Sequence, residues 1–290
     1  MRPDDLPVSP RRRDLVRSGG VGLLLGAAGL PAAAATEGAG TAARGARFAG
    51  KRVLVTGGSS GMGRAGAQRI AEEGGRVVVT GRTQAHLDAV RAELPASSVV
   101  LRNDAGDPAA VAALAEAARA MGGLDGLWLN AAVAEVGPLE AVTAEAFDRM
   151  MAVNVRGPML QLAALSPLLA PGASIVVTAS SSAYEGAAST SLYAATKGAA
   201  IAMARSWARQ LAPRGIRVNT LVPGPIDTAF RRFLPDGTRR AFESGVVADV
   251  PLGRMGGADE AAAVALFLLS DDASYVSGSQ YAVDGGMIMR

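Results

Sequence analysis

The sequence predicts an α/β fold of the Rossmann type, a doubly wound parallel sheet in three layers within a single domain. Three observations carry this. From Lys51 onward, short β-branched runs alternate with longer helical stretches. The strand segments are continuously apolar rather than alternating, as expected of strands covered on both faces. The chain has 290 residues, 49% of them hydrophobic, enough to bury one large core. Sheets of this kind bind ligands in the crevice beyond the carboxyl ends of their strands.

Residues 52–56 read as the first strand and 63–73 as the first helix. The strand at 76–80 precedes a helix at 84–94, and the strand at 98–102 precedes an alanine-rich helix at 108–121. A strand follows at 124–129. Residues 143–169 read as two helices with a break near Gly157-Pro158, because proline has no N–H for the helix ladder. A strand at 174–178, a helix at 191–211 and a strand at 216–221 continue the series.

Composition removes several function classes. There are no cysteines, so disulfides and thiolate metal sites are excluded. The one histidine, His86, cannot build a multi-histidine metal site, and its place early in a surface helix reads as solvent exposure without a role. No metal is expected. The net charge is +3, and residues 1–35 hold five arginines against three aspartates, so the remainder is nearly neutral and offers no basic block for nucleic acid.

Residues 1–35 read as a signal peptide. Arg11-Arg12-Arg13-Asp14-Leu15-Val16-Arg17 forms a charged start, Gly19 to Leu30 a mildly apolar stretch, and Pro31-Ala32-Ala33-Ala34-Ala35 a small-residue cleavage site. As a helix that stretch spans about 18 Å, against ~30 Å of hydrocarbon core, so no stable membrane span is expected. The Arg12-Arg13 pair resembles the twin-arginine signal, which implies export to the periplasm or beyond. The alternative is a disordered basic tail on a cytoplasmic protein. Residues 36–48 read as a linker, and 49–290 as the folded domain.

Val53-Leu54-Val55-Thr56 runs into Gly57-Gly58-Ser59-Ser60-Gly61-Met62-Gly63, and a helix follows. A strand, a glycine turn and a helix N-terminus make an anion site suited to a pyrophosphate. Gly57 permits the turn, Gly61 lets backbone approach a phosphate, and Gly63 lets the helix pack closely.

Thr56-Gly57-x-x-x-Gly61-x-Gly63 resembles the signature of the short-chain dehydrogenase/reductase family. Further motifs stand in that family's order: Asn130-Ala131-Ala132, Asn154 within Met151-Ala152-Val153-Asn154-Val155, Ser180, Tyr193-x-x-x-Lys197, Pro223-Gly224-Pro225-Ile226-Asp227-Thr228, Pro251-Leu252-Gly253-Arg254 and Val283-Asp284-Gly285-Gly286. The resemblance spans residues 51–287. Leu129 replaces the family's usual asparagine and Ala132 its glycine, departures that touch cofactor contacts rather than chemistry.

The resemblance implies an oxidoreductase that moves a hydride between a nicotinamide cofactor and a small carbonyl or secondary alcohol. Tyr193 would be the general acid or base, Lys197 its charged partner, Ser180 the hydroxyl that orients the substrate oxygen, and Asn154 a support for proton relay. Tyr193 and Lys197 stand four apart, on one helix face. A tyrosine is a poor base at neutrality. An ammonium at about 4 Å in an effective dielectric near 20 favours the phenolate by roughly 4 kcal/mol before desolvation. Cofactor contacts are expected from Gly57, Ser59, Ser60, Gly61, Met62, Gly63, Asn130, Ala131, Tyr193, Lys197, Pro223, Gly224, Ile226 and Thr228. Asp104 and Ala105 resemble the adenine-contacting pair.

NAD-preferring folds carry an acid after the second strand. Here Val77-Val78-Val79-Thr80 ends in Gly81-Arg82-Thr83. Arg82 can pair with a 2′-phosphate, which favours NADP(H) while leaving NAD(H) open. Arg64 is close to Ser60, where a second basic residue is common. Relatives of this length imply a homodimer or homotetramer. Phe230, Phe233 and Phe242 are candidate apolar contacts in a lid over 228–250, or packing residues. The competing reading, a non-catalytic dinucleotide sensor, sits poorly with a chain that keeps both tyrosine and lysine.

Overall fold

The computed structural model describes residues 46–231 and 236–289. Residues 1–35, read above as a signal peptide, and nearly all of the residues read as a linker lie outside the described residues, as does Phe233.

Nine strands and nine α-helices alternate among the described residues. In order they are β1 Arg52–Val55, α1 Gly61–Glu72, β2 Arg76–Gly81, α2 Gln84–Glu93, β3 Val99–Arg102, α3 Val111–Ala120, β4 Leu124–Leu129, α4 Ala144–Met151, α5 Gly157–Leu165 and β5 Leu169–Thr178. There follow α6 Ser182–Glu185, α7 Ser191–Leu211, β6 Arg217–Pro223, β7 Ile226–Asp227, α8 Asp236–Ala248, β8 Gly256–Gly257, α9 Ala258–Leu269 and β9 Gln280–Val283. Seven strands form one sheet in the order β3-β2-β1-β4-β5-β6-β9, with every neighbouring pair parallel. The order reverses between β1 and β4, which opens a crevice at their carboxyl ends.

Period-two side-chain direction divides the core into two layers. Leu54, Leu127, Leu129, Ile175 and Val177 face α3, α5 and α7, where Leu114, Leu165, Ala204 and Trp207 close over them. Val53, Val55, Trp128 and Val176 face the other way, under Ala67 and Ile70 of α1 and Leu266 of α9. The three-layer, single-domain architecture expected from the sequence is therefore present. Trp128 is fully buried, and α1 crosses it at Gly66, where an added Cβ would collide with the indole. Among the described residues no helix is long and apolar enough to cross a membrane.

Two expectations need correction. There is no break at Gly157-Pro158. Helix α4 passes through a π turn, Ala152–Arg156, directly into α5. A π turn widens the ladder by one residue, and Pro158 then falls at the start of α5, where a missing N–H costs little. Gly157 is required there by close approach, since a Cβ would lie 2.4 Å from the Ala105 carbonyl. The linker does not extend to Phe48. Arg47 pairs with buried Glu73 at 2.6 and 2.8 Å, and Phe48 is 2% exposed beneath α1. Beyond residue 221, α9 and β9 complete one face and one edge of the sheet.

Candidate active site

A cavity of about 390 Å³ lies over the carboxyl ends of the central strands. Of the residues singled out in the sequence, Gly57, Ser59, Ser60, Gly61, Met62, Arg82, Asp104, Ala105, Asn130, Ala131, Ser180, Tyr193, Lys197, Pro223, Gly224, Ile226 and Thr228 line it. Gly63 and Asn154 do not.

The glycine loop leaves β1 at Thr56. Gly57 has φ +64°, and a Cβ there would stand 2.8 Å from the Ala131 Cα. A Cβ on Gly63 would lie 2.5 Å from the Gly57 carbonyl and 2.7 Å from Asn130 Nδ2, so Gly63 serves the fold of the loop rather than the cavity wall. Ser60, the N-cap of α1, is extended and its side chain makes no cap bond. The N–H groups of the first turn therefore lack a side-chain acceptor at the cavity, a cradle that fits a pyrophosphate.

A polar chain ties this loop to the strand ends. Thr56 Oγ1 accepts from the N–H of Asn130 at 2.9 Å and of Ala131 at 3.2 Å. Asn130 Nδ2 donates to the Gly57 carbonyl at 3.2 Å, and Asn130 Oδ1 accepts from Thr178 Oγ1 at 3.2 Å. Thr178 Oγ1 in turn accepts from Trp128 Nε1 at 2.9 Å. The carbonyl of the same threonine accepts from Lys197 Nζ at 2.9 Å. Thr178 thus joins the glycine loop to the lysine.

Lys197 is 3% exposed. Burial lowers its ammonium to about 8. Its Nζ stands 5.5 Å from the ring centroid of Tyr193, one turn earlier on α7. Phe230 packs against the same ring, tilted, at 6.3 Å between centroids. Ser180 follows β5, and its Oγ lies 3.2 Å from Ser182 Oγ while accepting from the Ser182 N–H. The neighbouring Ser181 is buried, and its N–H is taken by the Pro223 carbonyl.

Asn154, buried in the π turn, spends its amide elsewhere. Its Oδ1 accepts from Val133 N–H at 2.9 Å, and its Nδ2 donates to the Val133 carbonyl at 2.8 Å and to Thr196 Oγ1 at 3.1 Å. Thr196 Oγ1 donates to the Tyr193 carbonyl at 2.8 Å. Asn154 therefore positions the start of α7 through Thr196 and pins the loop after β4.

At the far end of the cavity, Arg82 and Asp104 face each other at 4.0 Å, both well exposed. Arg64 does not turn toward Ser60. It is paired with Glu93, Nε to Oε2 at 2.9 Å with a second contact from Nη2. His86 is exposed as expected, yet it lines this end of the cavity beside Arg82 and Thr83. Ser182 and Glu185 also line the wall, and Glu185 carries no sequence signature that would have marked it. Phe230, one of the three aromatic candidates, lines the cavity. Among the described residues no group of three acidic, histidine or cysteine side chains could hold a metal.

Comparison with known proteins places these features in context. A family model described as enoyl-(acyl carrier protein) reductase matches residues 57–288. Glucose 1-dehydrogenase of Gluconobacter oxydans is 38% identical over 251 residues, 84% of this chain and 94% of that protein. The crystal structure of a short chain dehydrogenase from Burkholderia cenocepacia, in complex with NADP, superposes with a TM-score of 0.75 at 34% identity, covering 83% of this chain and 99% of that one. A blue fluorescent protein from a metagenomic library, in complex with NADPH, gives 0.75 at 34% identity over 82% of this chain and 98% of its own.

Thr178→Val keeps the side-chain volume but leaves the buried Trp128 N–H without its acceptor. It is expected to destabilise the protein by about 1–3 kcal/mol in urea unfolding. An unchanged midpoint would show that the indole is satisfied without Thr178.

Proposed function

The chain belongs to the short-chain dehydrogenase/reductase family, an oxidoreductase family, and from that premise we propose that it moves a hydride between NADP(H) and a small carbonyl or secondary alcohol, with Tyr193 as general acid or base. The observation that carries this reading is the Tyr193–Lys197 pair, buried at its lysine and set in the same cavity as the glycine loop.

When bound, the cofactor supplies the hydride for reduction or takes it in oxidation. The chain's own residues do the rest. The first turn of α1 and the glycine loop hold the pyrophosphate. Tyr193 gives its phenolic proton to the carbonyl oxygen as that oxygen gains charge, and recovers one in the reverse direction. Lys197, cationic below about pH 8, stabilises the phenolate left behind. Ser180 donates to the same substrate oxygen and fixes its direction. Phe230, against the Tyr193 ring, narrows the path for water.

NADP(H) is favoured over NAD(H) by Arg82 at the end of β2 and by the absence of an acid in Gly81-Arg82-Thr83. With Arg64 committed to Glu93, the 2′-phosphate falls to Arg82. Neighbouring structures that hold NADP and NADPH support the same preference.

Tyr193→Phe is expected to lower kcat by about 100- to 10,000-fold while dinucleotide binding, followed by fluorescence titration, changes little. Retention of more than about a tenth of the wild-type rate would reassign the acid. Arg82→Asp should weaken NADPH strongly and spare or improve NADH, because it sets a negative charge against the phosphate. Equal efficiency of the unmutated enzyme with NADPH and NADH would remove the basis for that role.

A further inference from the structure

We propose that the substrate end of the cavity selects a neutral carbonyl compound with a hydroxyl on the adjacent carbon, together with the vicinal diol it interconverts with, and that Glu185 is the specificity-determining acceptor of that hydroxyl. This deepens the oxidoreductase reading above and rests on it.

Helix α6 is a single turn immediately after Ser180. Two of its residues, Ala183 and Tyr184, pack against Ala179, Ile201 and Val222. The other two, Ser182 and Glu185, three apart on the turn, line the cavity. The cavity is also lined by apolar Val133, Ala134, Val136, Phe230, Val246 and Met287, and by Thr190, whose hydroxyl is already donated to the Ala187 carbonyl. Among the described residues the Glu185 carboxylate makes no side-chain hydrogen bond or ion pair, although it is half-buried. The other charged lining residues are engaged: Arg82 and Asp104 face each other across the far end, and Lys197, beside Tyr193, is bonded to Thr178.

An ionised carboxylate accepts hydrogen bonds and donates none. It therefore selects a substrate that brings a donor and repels a carboxylate or phosphate, while the Lys197 ammonium beside Tyr193 disfavours a cation on the carbon next to the carbonyl. Ser180 and Ser182 set two hydroxyls 3.2 Å apart, side by side, each able to donate and accept. In the proposed pose, a carbonyl oxygen on Ser180 and Tyr193 directs the oxygen on the neighbouring carbon toward Ser182 and its hydroxyl proton toward Glu185, which shares the cavity wall with Ser182. The reaction balances simply. The carbonyl carbon receives the hydride and its electron pair from the reduced nicotinamide, the carbonyl oxygen takes the Tyr193 proton, and the hydroxy ketone becomes a vicinal diol as the nicotinamide is oxidised. The adjacent hydroxyl is unchanged throughout.

The test compares four carbonyl compounds of one skeleton with NADPH and the full chain: hydroxyacetone, acetone, aminoacetone and pyruvate. The kcat/KM for hydroxyacetone is expected to exceed that for acetone by about 10- to 100-fold, mostly in KM, the scale of one hydrogen bond to a charged group. Glu185→Gln should collapse that ratio to a few-fold. In parallel, calorimetry of propylene glycol binding to the enzyme with NADPH, a pair that cannot react with each other, should show weaker binding in Glu185→Gln, a readout independent of turnover. Equal efficiency with acetone and hydroxyacetone, a preference for aminoacetone or pyruvate, or propylene glycol binding unaffected by Glu185→Gln would each overturn the assignment. Absence of turnover with every carbonyl, while Glu185→Gln still weakens propylene glycol binding, would instead count against the oxidoreductase reading and leave the diol site standing.

Discussion

The site is organised around a lysine ammonium placed where charge is costly. Lys197 is buried, and the partner given to its Nζ is the carbonyl of Thr178, a neutral dipole rather than a carboxylate. An uncompensated buried charge is expensive, so the surrounding elements must be held accurately. Strand β5 has to end at Thr178, α7 has to present Lys197 above it, and Tyr193 has to sit one turn away. The cost is visible in the ammonium, lowered to about 8. A carboxylate partner would relieve the penalty, but it would also quench the field that favours the Tyr193 phenolate in the proposed reaction.

The same threonine explains why the two halves of the site act together. Its hydroxyl links Trp128 of the core to Asn130, and Asn130 holds the Gly57 carbonyl. The glycine loop and Lys197, which we propose tunes the Tyr193 phenol, are thus connected through a single residue at the end of β5. On the other side, the π turn supplies Asn154, which fixes Val133 and, through Thr196, the carbonyl of Tyr193. Such networks are most valuable when every member is satisfied, and each of these side chains has its partners.

Much of this was legible in the sequence because it depends on local backbone chemistry. Continuous apolar strands between helices announce a parallel sheet, and Gly57, Tyr193 and Lys197 sit at spacings that a tight turn and a helix face dictate. What was not legible depends on tertiary packing. Helix α9 is apolar over nearly its whole surface, wedged among α1 and the sheet, so it shows no one-sided periodicity. Strand β9 is short and at the sheet edge. Gly157-Pro158 reads as a break unless one knows that the preceding turn widens to take it. Arg64 could have served the phosphate loop, but Glu93, twenty-nine residues on, captures it. Phe48 reads as linker because its partners on α1 are distant in sequence. Glu185 is a lone carboxylate on a four-residue helix, and only the packing of Ala183 and Tyr184 turns it into the cavity.

The central claim, that a buried and still cationic Lys197 drives the chemistry of Tyr193, is tested most directly by the pH dependence of kcat/KM for NADPH-linked carbonyl reduction. Burial disfavours the ammonium, so its charge is present below about 8 and lost as pH rises through that value. The phenol must also carry its proton to donate it, which acts in the same direction. The rate is therefore predicted to be sustained at neutral pH and to fall as pH passes about 8. A rate that stayed level until about pH 10, where an ordinary tyrosine and lysine titrate, would contradict the account.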